Sequence, residues 1–233
     1  MVGARGLTQP DVRIIGGTIV DGTGSPGRAG TVLIEGDRLR VLSGGDAGTN
    51  PAARTIDATG KIVAPGFIDL HSHSGLMILA EPTHDPKVRQ GITTEVIGVD
   101  GNSYAPFHSP EDLAAFVHLN SGLDGRPDIA YDWDTVASYL RRFDKRVSVN
   151  IAYLIGNSAL RIGAIGWDDE PATERATRDM AAMLRDGMAE GAFGISSGLD
   201  YPPGSYATTD ELAALGREAA RSGGFYHTHV RYA

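Results

Sequence analysis

The chain has 233 residues, with 21 Lys and Arg against 29 Asp and Glu, for a formal charge of −8. That acidic balance, without a clustered basic stretch, excludes a nucleic-acid binder that works by neutralising phosphates. The absence of cysteine excludes a disulfide framework, a zinc ribbon built on four cysteines and a thiol nucleophile.

At 41% hydrophobic and 21% charged residues the composition is that of a globular protein. No run approaches a membrane span and the start lacks an apolar signal-type stretch, so a soluble, cytoplasmic protein is expected. Residues 1–64 read as β. Short β-branched runs lie at 12–15, 18–20, 31–35, 38–42, 54–57 and 61–63. Gly36 and Asp37 join two of them, a hairpin signal. Runs this short and closely spaced predict part of a small β-sandwich.

After Pro65 the pattern changes. Strands are predicted at 66–71, 93–98, 147–155, 191–196 and 225–230, and helices at 110–118, 134–143, 171–190 and 209–221. Ser109 is a fitting N-cap for the first helix. Pro171 suits the first turn of the third, in which Met180, Met183, Leu184 and Met188 share one face. The fourth opens with Thr208 and acids and closes at Gly223 and Gly224. Alternating β and α predicts a parallel sheet or barrel over 65–233. About five strands are present, whereas a closed (β/α)8 barrel needs eight.

His71 and His73 follow an apolar strand that ends near Asp69. Alternate strand residues share a face, so Asp69, His71 and His73 are expected to point the same way. Two imidazoles so placed can reach one metal ion, with the carboxylate behind them. A second pair, His227 and His229, lies on the last predicted strand. His229 is read as a ligand and His227 as a core histidine bonded to backbone. Asp100 sits in a Gly-flanked turn and is either a carboxylate ligand or a plain turn former. Tyr201, in a Pro-rich loop, is either a donor to a substrate carboxylate or carbonyl, or packing over the prolines. His84, His108 and His118 lie in a loop, a turn and a helix, with no matching partner, and are expected to have no role. No phosphate-binding loop, dinucleotide fingerprint or Gly-x-Ser-x-Gly elbow is present.

The runs at 14–24 and 63–73 resemble the start of the amidohydrolase superfamily. Those at 90–98, 194–203 and 224–231 narrow the resemblance to the N-acyl-D-amino-acid deacylases, or D-aminoacylases. The resemblance extends from about residue 11 to the end of the chain. The resemblance implies a (β/α)8 metal-dependent hydrolase barrel with a small β-sandwich, one or two zinc ions, and hydrolysis of the amide of N-acyl-D-amino acids. It implies that His71 and His73 are the first-strand metal pair, that His229 binds the tightly held zinc, and that Tyr201 touches substrate. Asp100 stands where most relatives carry a cysteine ligand, and Glu95 is an alternative oxygen donor. A further histidine and the general-base aspartate of the family would lie beyond residue 233, so no catalytic residue is assigned. The chain is thus expected to be the first half of such an enzyme. Alone, it should be inactive or slow and should need the remaining half of the barrel or an oligomer partner. The alternatives are a hydantoinase- or dihydroorotase-like cyclic-amide hydrolase and a non-catalytic scaffold. The first usually carries a carboxylated lysine, and the only candidates, Lys87 and Lys145, read as polar-loop residues.

Overall fold

A computed structural model describes residues 9–43 and 52–229. It has two compact units, Met1–Gly66 and Phe67–Ala233. In the first, β1 (Val12–Ile15), β2 (Thr18–Ile19), β3 (Arg28–Glu35), β4 (Arg38–Ser43), β5 (Arg54–Asp57) and β6 (Ile62–Val63) form one sheet. Its order is β5-β1-β3-β2-β6, with β4 beside β3. The β3–β4 hairpin closes with Glu35 opposite Arg38, as the Gly36–Asp37 signal predicts. Gly36 takes a φ of +58°, which an L side chain rarely adopts.

The second unit holds β7 (Phe67–Asp69), α1 (Met77–Ala80), α2 (Asp85–Val88), β8 (Ile92–Ile97), α3 (Pro110–Leu119), α4 (Ser121–Asp124), α5 (Val136–Leu140) and β9 (Asn150–Gly156). It continues with α6 (Asn157–Ala164), α7 (Glu174–Ala189), β10 (Gly194–Gly198), α8 (Thr209–Arg221) and β11 (Phe225–His229). The five strands pair in the order β11-β10-β9-β8-β7, each parallel to its neighbour. Such crossovers require intervening chain, which the helices supply. The main core, including Ile97, Tyr139, Tyr153, Ile155, Leu184 and Ile195, packs sheet against helices. A smaller cluster of Val96, Val99 and Leu154 gathers separately. Val96 and Ile97 are successive on β8, so the two clusters lie on opposite faces of the sheet.

Several predicted helices differ at their ends. Thr173 caps α7, its hydroxyl accepting from Ala176 N. Pro171 therefore lies before the helix rather than in its first turn. Thr135 and Ser138 form a reciprocal capping box that starts α5 at Val136, and the helix is shorter than the predicted 134–143. Sequence reasoning does not find α6. It follows directly from β9 without a side-chain cap, and its buried face includes the polar Asn157, Ser158 and Arg161. Arg161 Nη1 is 2.5 Å from Glu211 Oε2, and this fully buried ion pair ties α6 to α8.

Candidate metal centre

The strand that begins the site stops at Asp69, so the two-residue alternation does not carry on through His71 and His73. Asp69 Oδ1 accepts from the backbone N–H of His71 at 3.0 Å. Its Oδ2 accepts from Lys87 Nζ. The expected carboxylate behind the imidazoles is therefore not Asp69, which the cation on α2 draws to itself. Glu95 is the register partner of Asp69 on β8 and joins the same cluster. It accepts from Ser74 Oγ and lies 3.0 Å from His84 Nε2 and 3.4 Å from Lys87 Nζ. Burial works against the charge of Asp69, but Lys87 outweighs it and holds the carboxyl below its usual range. Burial of Glu95 is likewise outweighed, by Ser74, His84 and Lys87. Glu95 thus spends its carboxylate on Ser74, His84 and Lys87. Two expectations need correction: His84 has a buried partner, and Lys87 is a helical residue in an ion cluster.

The turn after β8 carries Asp100. Gly98, Asp100 and Gly101 all take positive φ, at 76°, 55° and 72°. Aspartate tolerates this region better than most L residues. A Cβ on Gly98 would come within 2.1 Å of Leu154 O, and one on Gly198 within 2.0 Å of Asp100 O. Side chains at those positions would lift the turn off the neighbouring strands. Ser196 Oγ locks the turn further, donating to Gly98 O at 2.5 Å and accepting from Gly101 N at 3.0 Å.

This packing aims the buried Asp100 carboxylate at the histidines. Its Oδ2 is 3.1 Å from His71 Nε2 and 3.3 Å from His73 Nε2. Its Oδ1 is 3.7 Å from His229 Nδ1 and has no hydrogen-bond partner. His73 turns its other nitrogen to Asp124 on α4, with Nδ1 2.7 Å from Oδ1. Tyr104 donates its hydroxyl to Asp124 Oδ2 at 2.5 Å. The Asp124 hydrogen bond raises the His73 pKa, against the effect of burial. His229 Nε2 lies 3.3 Å from Asp200 Oδ2, and the ring of Tyr201 meets that of His229 edge-on, with centroids 5.3 Å apart. The structure thus brings together His71, His73, Asp100, His229 and Tyr201. Sequence reasoning misses Asp124 and Asp200. Asp200, next to Tyr201, was within reach of it, whereas Asp124 is 51 residues from His73 and only the fold joins them.

One donor atom from each of His71, His73 and Asp100 lies within 4.8 Å of the others. Two imidazoles and a carboxylate are a donor set that zinc accepts. The partnerless, buried Asp100 Oδ1 is an acceptor suited to a cation. The residues fit a metal ion. Arg231, part of the last motif, lies outside the described residues. Among the described residues no helix is long and apolar enough to cross a membrane.

The sequence profile of the amidohydrolase family matches residues 54–232, and the chain belongs to that family. It is 38% identical to an N-acyl-D-glutamate deacylase of Alcaligenes xylosoxydans xylosoxydans, over 95% of this chain and 44% of that protein. A crystal structure of the N-acyl-D-glutamate deacylase from Bordetella bronchiseptica, complexed with zinc and a phosphonate inhibitor, superposes with a TM-score of 0.84 at 36% identity. The match covers 97% of this chain and 46% of that one. A D-aminoacylase described as having a binuclear metal centre matches at a TM-score of 0.82 and 35% identity, over 96% of this chain and 46% of that one. The chain therefore spans just under half the length of these relatives. Its parallel sheet corresponds to part of an amidohydrolase barrel.

Proposed function

We propose that the protein is a metal-dependent amidohydrolase that cleaves the amide bond of N-acyl-D-amino acids, with His71, His73, Asp100 and His229 holding the metal. The convergence of His71, His73 and His229 on the Asp100 carboxylate is the observation that carries this reading. The deacylase relatives support the substrate class. A bound zinc ion supplies Lewis-acid polarisation of an amide carbonyl and acidifies water at neutral pH.

The chain's own residues prepare the site. Asp124 holds the proton on His73 Nδ1, which leaves Nε2 directed at Asp100. Asp200 faces one nitrogen of His229 while the other faces Asp100. Tyr201, packed on His229, is the substrate-orienting hydroxyl in this reading. The glycines of the turn let its backbone sit against the neighbouring strands, which holds Asp100 beside the histidines. The cyclic-amide alternative loses support, because Lys87 is held by Asp69 and Glu95.

The edge strands support completion of the barrel by further polypeptide, from the same or another chain. Phe67 and Ile68 on β7 are exposed, as are Phe225 and Tyr226 on β11.

The test is zinc content by elemental analysis, with hydrolysis of N-acetyl-D-glutamate and its L enantiomer assayed on this chain and on a form lengthened by downstream coding sequence. Zinc bound by this chain, with D-selective hydrolysis in the lengthened form, is the expected result. Zinc-free protein in both forms overturns the reading and favours a non-catalytic scaffold.

A further inference from the structure

Resting on the metal-centre reading above, we propose that His227 is a further metal-ligating residue, seated beside His71. β11 runs parallel to β10 with Ser196 opposite His227 and Gly198 opposite His229. The two histidines therefore share a sheet face, over a serine and a glycine. The intervening positions look the other way: Ser197 Oγ lies 2.6 Å from Tyr226 Oη and 2.8 Å from Thr228 Oγ1. Ile195 packs in the core between sheet and helices. Small residues beneath His227 and His229 leave the imidazoles room to approach a common ligand.

His71 is flanked by two imidazoles at nearly the same separation. Its ring centroid is 5.3 Å from that of His73 and 5.2 Å from that of His227. A zinc–nitrogen bond of about 2.1 Å, with a ring radius of roughly 1.1 Å, puts the ion about 3.2 Å from each ring centre. Two imidazoles at a tetrahedral angle then stand about 5.2 Å apart. The His71–His227 pair meets this spacing as well as the His71–His73 pair does.

The nitrogen chemistry agrees. His227 Nδ1 is buried and has no hydrogen-bond partner. A core histidine of the kind expected from sequence would bond to backbone, and this one does not. The nearest polar residue across the ladder, Ser196, has its hydroxyl committed to Gly98 O and Gly101 N. A buried ring nitrogen left without a partner is costly. Donating its lone pair to a cation shared with His71 removes that cost.

The experiment is a titration of the uniformly 15N-labelled chain with zinc chloride, followed through the histidine side-chain nitrogens. It is joined to chelator-competition measurements of zinc affinity on the wild type and on His227→Asn. The expected result is that one His227 nitrogen shifts together with those of His71 and His73, and that His227→Asn binds zinc at least tenfold more weakly. Shifts at His71 and His73 without one at His227, or a variant within twofold of the wild type, overturn the assignment while leaving the metal centre standing. Wild-type chain that takes up no zinc overturns both. The nitrogen titration reads the unaltered protein, so a poorly folded variant does not blunt the test.

Discussion

His73 and Asp124 meet at 2.7 Å through Nδ1 and Oδ1, with Asp124 almost fully buried on α4. A carboxylate accepts only, so the imidazole carries its proton on Nδ1 and presents Nε2 to Asp100. Tyr104 holds the other Asp124 oxygen, so the carboxylate cannot swing away. This is the orienting partner that metal-bound histidines commonly have. Asp124→Asn should weaken zinc binding about 10- to 100-fold, because the amide can present its NH2 group and favour the wrong tautomer. Tyr104→Phe should weaken it less, since Asp124 stays charged. Chelator competition on both variants measures this, and an Asp124→Asn affinity equal to wild type would refute the orienting role.

In the proposed metal centre Asp100 is the one carboxylate among the imidazoles. Asp100→Ala removes the group on which three histidines converge and should reduce zinc affinity by more than the roughly 100-fold upper figure for a supporting residue. Asp100→Cys replaces a hard donor with a soft one and should shift preference toward zinc and cadmium over manganese. The left-handed backbone at this position adds a strain of about 1 kcal/mol for cysteine relative to aspartate. Competition between metals, followed by cobalt(II) absorption, shows whether a thiolate has joined the site.

What was legible in the sequence followed from local chemistry. The Gly36–Asp37 hairpin, the Thr208 cap of α8 and the alternation of strand and helix all rest on neighbouring residues. The sequence also names His71, His73, Asp100 and His229 as candidate ligands, and the fold brings them together. The partners of those residues were not legible. Strand periodicity groups Asp69 with His71 and His73, but the strand ends at Asp69, which the fold pairs with Lys87. His84 lacked a sequence neighbour to pair with but meets Glu95 across α2 and β8. The sequence predicts His227 as a backbone-bonded core residue, whereas its Nδ1 has no hydrogen-bond partner. Helix α6 was missed because its buried face carries Asn157, Ser158 and Arg161, which hide the apolar period.

The Lys87 cluster makes stability depend on pH. Asp69 and Glu95 are held below their ordinary values of 3.8 and 4.5, burial being outweighed at Asp69 chiefly by Lys87 and at Glu95 by Ser74, His84 and Lys87, so the folded state binds fewer protons than the unfolded one. Their contribution is complete above about pH 4.5 and is lost as pH falls through the folded values. Burial opposes the Lys87 charge, but Asp69 and Glu95 raise its pKa above the ordinary 10.5, so its own contribution is lost only above that pH. Lys87→Met should destabilise the protein by about 1–3 kcal/mol at pH 7, below the full buried-pair figure because the lysine is partly exposed. The difference from wild type should shrink below about pH 4. Urea unfolding at pH 7 and pH 3.5 checks both points, and a difference independent of pH would contradict the ion-pair account.

The Arg161–Glu211 pair is buried on both sides, at 0% and 1% side-chain exposure, so breaking one half differs from replacing the whole. Burial raises the Glu211 pKa and Arg161 opposes that rise. Arg161→Met removes the opposing charge and leaves a carboxylate in the core, at a cost of about 3–5 kcal/mol. The folded Glu211 then binds its proton more tightly than the unfolded one, so the loss should deepen as pH rises from 4 to 7. Pairing Arg161→Met with Glu211→Leu removes both charges and should recover most of the stability. What remains is the loss of the bond from Arg161 Nη2 to Glu170 O, worth about 1–2 kcal/mol. The double variant should also keep wild-type zinc affinity, since neither residue touches the histidines or Asp100. Unfolding midpoints of the single and double variants at pH 5 and 7 decide this. A double variant no more stable than the single one would mean that shape at the α6–α8 contact, rather than charge, holds α6 in place.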